Sequence, residues 1–230
     1  LYHHLVADRP HPLGIPTEKF LRQMEFLRQH YKLVGLGEAI DLLRRGEVKA
    51  PTVVLTFDDG YQENFINLRA VAEATSIPLT LFVCTQLAGT QQEFEHDHKR
   101  GVRQMSPLTW EQIEYLSRDG FEIGSHTRTH FDCGSIDGPA LESEIAGSKA
   151  DLEEHGLGPV RFFSFPWGHP ANMSPPAMEL ARSNYPYVFS ACGGANFPSQ
   201  NHNNWHLRRC AHPNDLWELE LTLQSVLELR

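Results

Sequence analysis

Two adjacent aspartates, Asp58 and Asp59, follow the apolar segment 52–57 and precede Gly60. Neighbouring carboxylates at the end of a buried strand repel each other, and a fold tolerates them when a cation lies between them or one is protonated. Successive side chains on a strand point in different directions, so one carboxylate can bind a metal while the other faces a reacting water. The alternative is a solvated turn, because Asp and Gly are ordinary turn residues.

His126 and His130 form a second pair, in the segment SHTRTH. A spacing of four residues on a helical turn places both imidazoles on one side, where they can bind one metal ion. Taken alone, the pair is more typical of surface or capping histidines. Together with the aspartates it predicts a site of one carboxylate and two imidazoles, which leaves coordination positions for water and substrate.

A third segment, residues 161–168 (RFFSFPWG), combines an arginine with an apolar strand and a turn. Arg161 precedes the strand, and Pro166 and Gly168 flank Trp167 in the turn that follows it. Such a turn can direct backbone N–H groups at a developing oxyanion, and the indole can stack on a sugar ring. The alternative is an aromatic core strand with an arginine at its edge.

The elements that must position these residues alternate along the chain between short apolar strands and amphipathic helices. This alternation favours a parallel sheet or barrel, in which the loops after the strands share one face and build the site. The predicted strands are residues 1–6, 52–57, 79–83, 121–125, 162–165, 187–191 and 207–210. The predicted helices are residues 17–30, 63–74, 109–118, 139–155, 175–183 and 214–229.

Length and composition indicate a single domain over residues 1–230, with a polar insertion at residues 89–106. Within the insertion, His96, Asp97 and His98 are predicted to be a solvated charged loop, with a second metal site as the alternative. Residues 201–206 are predicted to be a surface loop, with a position beside a glycan groove as the alternative.

The net charge of −9 argues against a nucleic-acid partner. No apolar run is long enough to predict a membrane span within this chain.

The motifs resemble those of the NodB-homology polysaccharide deacetylases, which form carbohydrate esterase family four. The resemblance runs from about residue 52 to 191 and rests on three segments in matching order and spacing: TFDDG (residues 56–60), SHTRTH (125–130) and RFFSFPWG (161–168). It implies a distorted (β/α) barrel with seven or eight parallel strands.

The resemblance also implies a metal site. Asp59, His126 and His130 would bind one divalent metal, usually Zn²⁺, with Co²⁺, Ni²⁺ or another divalent ion as alternatives. The substrate would be an acetylated glycan.

The same resemblance assigns the catalytic groups by position. Asp58 would be the general base, Arg161 would orient it, and the backbone N–H of Trp167 would contribute to the oxyanion hole. Tyr61, Pro166 and Trp167 are the predicted substrate-binding residues.

Two features depart from the family pattern. The Asp-Trp pair that supports the catalytic arginine is not evident, since residues 187–194 offer Ser190 and Cys192 instead. The histidine expected as general acid has His212 as its best candidate, although no leucine lies two residues before it. His206 and His3 are the alternatives.

The resulting prediction is a metal-dependent hydrolase that removes N-acetyl groups from an N-acetylglucosamine-type saccharide. One alternative keeps the fold and is an amide hydrolase, a deformylase or cyclic amidase, acting on a small or lipid-linked molecule. The other is a catalytically degenerate glycan-binding domain. The family resemblance favours an extracytoplasmic or cell-envelope location.

Overall fold

A seven-stranded parallel sheet forms the centre of the protein in the computed structural model, which describes residues 1–198 and 205–228. The sheet order follows the chain, β1-β6-β7-β8-β9-β10-β11, and the remaining strands form two parallel pairs, β2–β3 and β4–β5. The strands are β1 Tyr2–His3, β2 Leu5–Val6, β3 Gly14–Ile15, β4 Lys32–Leu33, β5 Thr52–Val53, β6 Leu55–Phe57, β7 Leu79–Val83, β8 Glu122–Ser125, β9 Phe162–Ser164, β10 Tyr187–Ser190 and β11 His206–Arg208.

The two edges of this sheet meet just after β11. The amide of Tyr2 donates to the carbonyl of Cys210 at 2.9 Å, and the amide of His212 donates to the carbonyl of Tyr2 at 2.8 Å. Tyr2 and Ala211 thus form a parallel bridge that connects the first strand to the segment after the last. The predicted (β/α) barrel with parallel strands is confirmed, and it has seven strands.

Helices cover the outside of the sheet. They are α1 Thr17–His30, α2 Leu36–Arg45, α3 Asn64–Thr75, α4 Glu95–Lys99, α5 Trp110–Arg118, α6 Gly138–Glu154, α7 Pro175–Asn184 and α8 Leu216–Glu228, with a short 3₁₀ helix at Pro170–Asn172. The helical periodicity predicted six of them to within two residues at each end, but α2 and α4 were not predicted. No helix in the described ranges combines the length and apolarity needed to cross a bilayer.

Local sequence signals fix several helix ends. The Thr109 hydroxyl accepts a hydrogen bond from the amide of Gln112, whose side chain accepts one from the amide of Thr109, so α5 begins with a capping box. Ser174 caps α7 by accepting from Ala177. α1 begins at the predicted Thr17, but Pro16 occupies its N-cap position and no side chain caps it.

The strands alternate between an outer and an inner face, and each face packs its own core. The outer face packs against the helices, as Leu81 and Phe163 do with Ile113 and Ile145. The inner face forms a smaller cluster of Phe82, Phe162, Tyr187, Phe189 and Leu207 with Leu36 and Ile40 of α2.

Helix α2 lies beside the amino ends of the strands. Its first amides, those of Leu36 and Gly37, donate to the Glu122 carboxylate at 2.5 and 2.7 Å. Because Glu122 begins β8, this contact places α2 at the end of the barrel opposite the loops that follow the strands. Those loops are therefore the open face at which a site can form.

The insertion at residues 89–106 packs against the rest of the molecule. Phe94 and Met105 are fully buried and form a cluster with Tyr61, Leu87 and Leu5. The insertion carries α4, so its interpretation as a solvated loop is corrected. The assignment of one domain to residues 1–230 remains a prediction, and residues 201–204 of the predicted loop lie outside the described residues.

Candidate active site

The turn after β6 carries both aspartates into the interior. Asp58 and Asp59 are 4% and 1% exposed, and Asp59 has a φ of 73°, in the left-handed region. Gly60 follows with a φ of 88°, and a Cβ there would lie 3.1 Å from Val83. The backbone therefore turns sharply against β7, and this turn separates the directions of the two carboxylates.

Three imidazoles surround Asp59. The Nε2 atoms of His126 and His130 lie 3.4 and 3.1 Å from Oδ1, and the Nε2 of His96 lies 3.3 Å from Oδ2. The Nδ1 of His126 lies 2.7 Å from the carbonyl of Ser164, which can only accept. His126 therefore carries its proton on Nδ1, which leaves the Nε2 lone pair directed at Asp59.

The donor set fits a metal ion. Both carboxylate oxygens of Asp59 are buried and have no hydrogen-bond partner of acceptable geometry among the described residues. Burial would raise the pKa of Asp59, but His130 and the other imidazoles hold its pKa well below the usual value, so it is ionised. A buried carboxylate without donors, faced by imidazole nitrogens, is the arrangement expected where a divalent cation binds.

Unusual backbone conformations are concentrated at this site. Among the described residues, six non-glycine residues have positive φ, and four of them are Asp59, Thr127, His130 and Trp167. The Thr127 hydroxyl accepts a hydrogen bond from the amide of His130 at 3.1 Å, which fixes the loop between the two histidines. The loop is therefore not a regular helical turn, although the spacing of four residues still brings both imidazoles to Asp59.

Asp58 is held by Arg209. The guanidinium donates to both carboxylate oxygens at 2.7 Å, and it also donates to the hydroxyls of Thr56 at 2.8 Å and Ser164 at 2.5 Å. Burial would raise the pKa of Asp58, but the charge and hydrogen bonds of Arg209, together with His126 and His4, hold the pKa below its usual value. The result is a buried, ionised carboxylate in a fixed orientation.

The predicted role of Arg161 needs correction. Its guanidinium lies over the rings of Phe162 and Tyr187, 5.4 Å from each centroid, and it makes no described contact with Asp58. Arg161 precedes β9 and therefore lies at the amino ends of the strands, opposite the site. Arg209 follows β11 at the carboxyl ends, where a residue can reach Asp58.

The predicted general acid also needs correction. His212 is 5% exposed, and its Nε2 lies 2.9 Å from the side-chain oxygen of Gln23 on α1. It does not line the cavity at Asp59, and burial holds its pKa well below the usual value. The alternatives His3 and His206 do not line that cavity either. His3 bonds to Asn214 instead.

The three predicted substrate-binding residues differ in position. Trp167 is 42% exposed, lines the cavity and packs edge-on against His130 at 4.6 Å between ring centroids. Pro166 is buried and does not line the cavity. Tyr61 is fully buried behind His96, which its hydroxyl contacts at 2.8 Å, so direct contact with substrate is excluded.

A cavity of about 210 Å³ contains the site, and three histidines and one arginine that line it were not among the predicted site residues. His4, Arg100, His96 and His169 line it together with Asp58, Asp59, His126, His130 and Trp167. The alternation along the first strand was a usable signal for His4, because it places His4 on the opposite face from His3. The insertion gave no such signal for Arg100, whereas His96 was considered only as part of a separate, second metal site.

A family model described as polysaccharide deacetylase matches residues 45–185, which is more than half of the chain. This chain belongs to the polysaccharide deacetylase family. Its match spans both aspartates and the two motif histidines, whereas Arg209 lies beyond it.

One similar member of the polysaccharide deacetylase family is YxkH of Bacillus subtilis (strain 168), a protein assigned to the polysaccharide deacetylases. The two sequences are 26% identical over 170 residues, which cover 73% of this chain and 55% of YxkH. This chain thus spans about half the length of the curated relative it matches.

Solved structures share the fold of this family member. The Streptococcus pyogenes deacetylase PplD, solved with acetate, aligns with a TM-score of 0.76 at 21% identity over 96% of this chain and 95% of PplD. IcaB from Ammonifex degensii aligns with a TM-score of 0.75 at 23% identity over 97% of this chain and 95% of IcaB.

Proposed function

We propose that this protein is a metal-dependent hydrolase that removes N-acetyl groups from an N-acetylglucosamine-type polysaccharide or oligosaccharide. The observation that carries the proposal is the buried Asp59 carboxylate, whose oxygens lack hydrogen-bond donors and face the imidazoles of His126 and His130. A second carboxylate, Asp58, lies beside it but is fixed by a different partner. One carboxylate for a metal and one for a proton are the requirements of metal-assisted amide hydrolysis.

Asp59, His126 and His130 would hold the metal, with Zn²⁺, Co²⁺ and Ni²⁺ all compatible with one carboxylate and two imidazoles. When bound, the metal polarises the acetyl carbonyl and lowers the pKa of a water molecule. The Ser164 carbonyl orients His126 from behind, through the hydrogen bond to Nδ1.

Asp58 is the proposed general base. Its carboxylate is ionised and lines the same cavity as Asp59, so it can accept a proton from a water molecule there. The two hydrogen bonds from Arg209 prevent the carboxylate from rotating away. The same charge keeps the base unprotonated down to low pH.

Trp167 is proposed to act in two ways. Its backbone N–H makes no hydrogen bond within the described residues, so it can donate to a developing oxyanion. Donors of this kind typically contribute about 3 kcal/mol to transition-state stabilisation. Its exposed indole at the edge of the cavity provides an apolar face on which a sugar ring can stack.

His4 replaces His212 as the proposed general acid. It lines the cavity and lies close enough to Asp58 and Asp59 for their charges to raise its pKa. Burial is the larger effect and lowers the pKa of His4 below the usual value. The acid that protonates the leaving amine must itself carry a proton, and the charges of Asp58 and Asp59 favour the protonated form of His4 against the effect of burial.

An Asp58→Asn variant tests the base. We expect acetate release from acetylated chitin-type oligomers to fall by about 100-fold or more, while metal content by elemental analysis stays at the wild-type level. Asp41→Asn, which removes an exposed carboxylate from α2, should keep full activity. Retained activity in Asp58→Asn would show that Asp58 is not the base.

A substrate panel separates the proposal from its alternatives. Acetate release from acetylated glycans supports the deacetylase, whereas hydrolysis of formamides or cyclic amides alone would indicate a small-molecule amidase. A chain that binds metal and glycan but hydrolyses neither class would be a degenerate binding domain. Each of the last two outcomes contradicts the proposal.

A further inference from the structure

The insertion at residues 89–106 directs one of its histidines at the candidate metal site. Helix α4 buries His96 and Asp97, whereas Glu95, His98 and Lys99 on the same helix are exposed. His98 pairs with Glu93 at the surface. The helix therefore presents His96 inward and His98 outward.

His96 meets Asp59 from the side not used by the two motif histidines. His126 and His130 approach Oδ1, whereas the Nε2 of His96 lies 3.3 Å from Oδ2. One ligand atom each from Asp59, His96 and His130 lie within 4.8 Å of one another, and the His96 and His130 rings are 4.6 Å apart. Separations of this size are those of atoms that share one metal ion.

A buried network lies behind His96, and binding of a metal by its Nε2 atom would replace the contact of that atom with the Tyr61 hydroxyl. The Tyr61 hydroxyl lies 2.8 Å from the Nε2 of His96 and 2.8 Å from Oδ2 of Asp97. Oδ1 of Asp97 lies 3.3 Å from the Nε2 of His11, and both of these side chains are fully buried. Buried polar groups are costly unless they are hydrogen-bonded. A buried polar network is therefore unusual in a segment that would otherwise be a surface loop.

We propose that His96 is a third imidazole ligand of the metal that Asp59, His126 and His130 bind. This inference rests on the proposed function, because it concerns the same metal. The Nε2 atom of His96 can either form a hydrogen bond with the Tyr61 hydroxyl or direct a lone pair at a cation beside Asp59. The unpaired Asp59 oxygens favour the second use.

A fourth protein ligand changes which metal suits the site. Four protein ligands complete a tetrahedral ion, and closed sites of this kind are usually structural. Catalysis then requires an ion that accepts five or six ligands, so that water and substrate can still bind. The inference therefore favours ions such as Co²⁺ or Ni²⁺ with expanded coordination.

The direct test uses the wild-type protein loaded with Co²⁺. A crystal structure in which anomalous scattering locates the ion should show the Nε2 of His96 within about 2.2 Å of it, as for His126 and His130. A separation above about 3 Å would overturn the inference, because bonded imidazole nitrogens lie near 2.1 Å. This measurement does not depend on whether any variant folds.

Binding titrations with Co²⁺ give the second test. His96→Ala should weaken binding by about 100-fold or more, since even residues outside the ligand shell typically contribute about 10–100-fold. The matched control His98→Ala removes an exposed histidine from the same helix and should bind Co²⁺ as the wild type does. Equal affinities for wild type and a folded His96→Ala would contradict the inference.

The two proposals fail in different ways. If the wild-type protein binds no divalent metal, the proposed function fails and the inference fails with it. If the wild type binds Co²⁺ and releases acetate while His96 stays off the metal, only the inference fails.

Discussion

Adjacent residues at this site have separate tasks because different partners hold them. Asp58 is fixed by a guanidinium on both oxygens, and Asp59 faces imidazoles without any hydrogen bond. The left-handed conformation of Asp59 directs the two carboxylates apart. In the proposed function, two identical side chains thereby serve as a proton acceptor and a metal ligand.

Replacing Arg209 should change the pH dependence of catalysis. In Arg209→Lys the bidentate hydrogen bond to the Asp58 carboxylate is lost. Burial then has a larger share in setting the pKa of Asp58, and this pKa rises. We expect the acidic limb of the kcat/KM profile to move to higher pH, with a loss of about 10-fold or more at neutral pH. Arg161→Lys is the control, and its profile should match the wild type.

The positions of the site residues were predictable where the sequence keeps the partners close together. Asp58, Asp59, His126 and His130 lie in short motifs directly after strands, and parallel strands bring their carboxyl ends together. Arg209 was missed because it contacts a residue 151 positions away and lies in an unremarkable basic pair. The prediction of Arg161 was wrong because a residue before a strand lies at the end of the barrel opposite the site.

At the scale of elements, strained loops follow regular strands on the site face. Thr127, His130 and Trp167 adopt positive φ in loops after β8 and β9, a conformation that costs a non-glycine residue of the order of 1 kcal/mol. Ser76 adopts the same conformation at the end of α3, far from any predicted site residue. The chain therefore contains strained residues both at the candidate site and away from it, and the two can be compared.

Glycine substitutions should separate strain from function. Ser76→Gly should raise the free energy of unfolding by about 1 kcal/mol and leave metal affinity unchanged, because Ser76 is exposed and caps a helix in the left-handed conformation. Thr127→Gly relieves a similar strain but removes the hydroxyl that fixes the His130 amide. We expect its metal affinity to fall by about 10-fold, measured by titration.

A decrease in metal affinity in Ser76→Gly, or none in Thr127→Gly, would contradict this separation. Denaturant unfolding of Ser76→Gly in the presence of a chelator measures the strain relief alone, because Thr127→Gly also loses a buried side chain and its hydrogen bond.

The elements themselves were largely predictable, and the exceptions have physical causes. Periodicity identifies amphipathic helices such as α1 and α5, since one face must pack on the sheet. Helix α4 has five residues, which is too short for a periodic signal. Its position depends on contacts of Phe94 and Asp97 with Tyr61, which local sequence does not reveal.

At the scale of the whole molecule, buried, neutral histidines lie at the seam where the first strand meets the segment after the last strand. His3 of β1 and His212 after β11 pack edge-on across the seam, 5.6 Å between ring centroids. The Nδ1 of His3 accepts from the amide of Leu5, and its Nε2 bonds to Asn214, so both nitrogens are used in the neutral form. Burial lowers the pKa of His3 to about 4.

Mild acid should therefore weaken the closed barrel. An unfolded histidine binds a proton near pH 6.5 and folded His3 only near pH 4, so the free energy of unfolding falls as the pH drops between these values. The contribution of His3 is at most about 3 kcal/mol. It is fully present above pH 6.5, and lost by pH 4.

Denaturant unfolding of His3→Gln checks this assignment. We expect a smaller decrease in unfolding free energy between pH 7 and pH 5 than in the wild type, with a chelator present to exclude metal release. His155→Gln, which replaces a partly exposed histidine stacked on Trp110, should retain the wild-type pH dependence. Parallel pH curves for wild type and His3→Gln would contradict the role of His3.

The order in which the chain is synthesised determines when the contact between Arg209 and Asp58 can form. A ribosome releases both aspartates, His126 and His130 some 80 residues before it releases Arg209. Until Arg209 emerges, Asp58 lacks the guanidinium that fixes its carboxylate. A nascent chain can thus bring Asp59, His126 and His130 together early, yet the orientation of Asp58 is fixed only when the segment after β11 is in place.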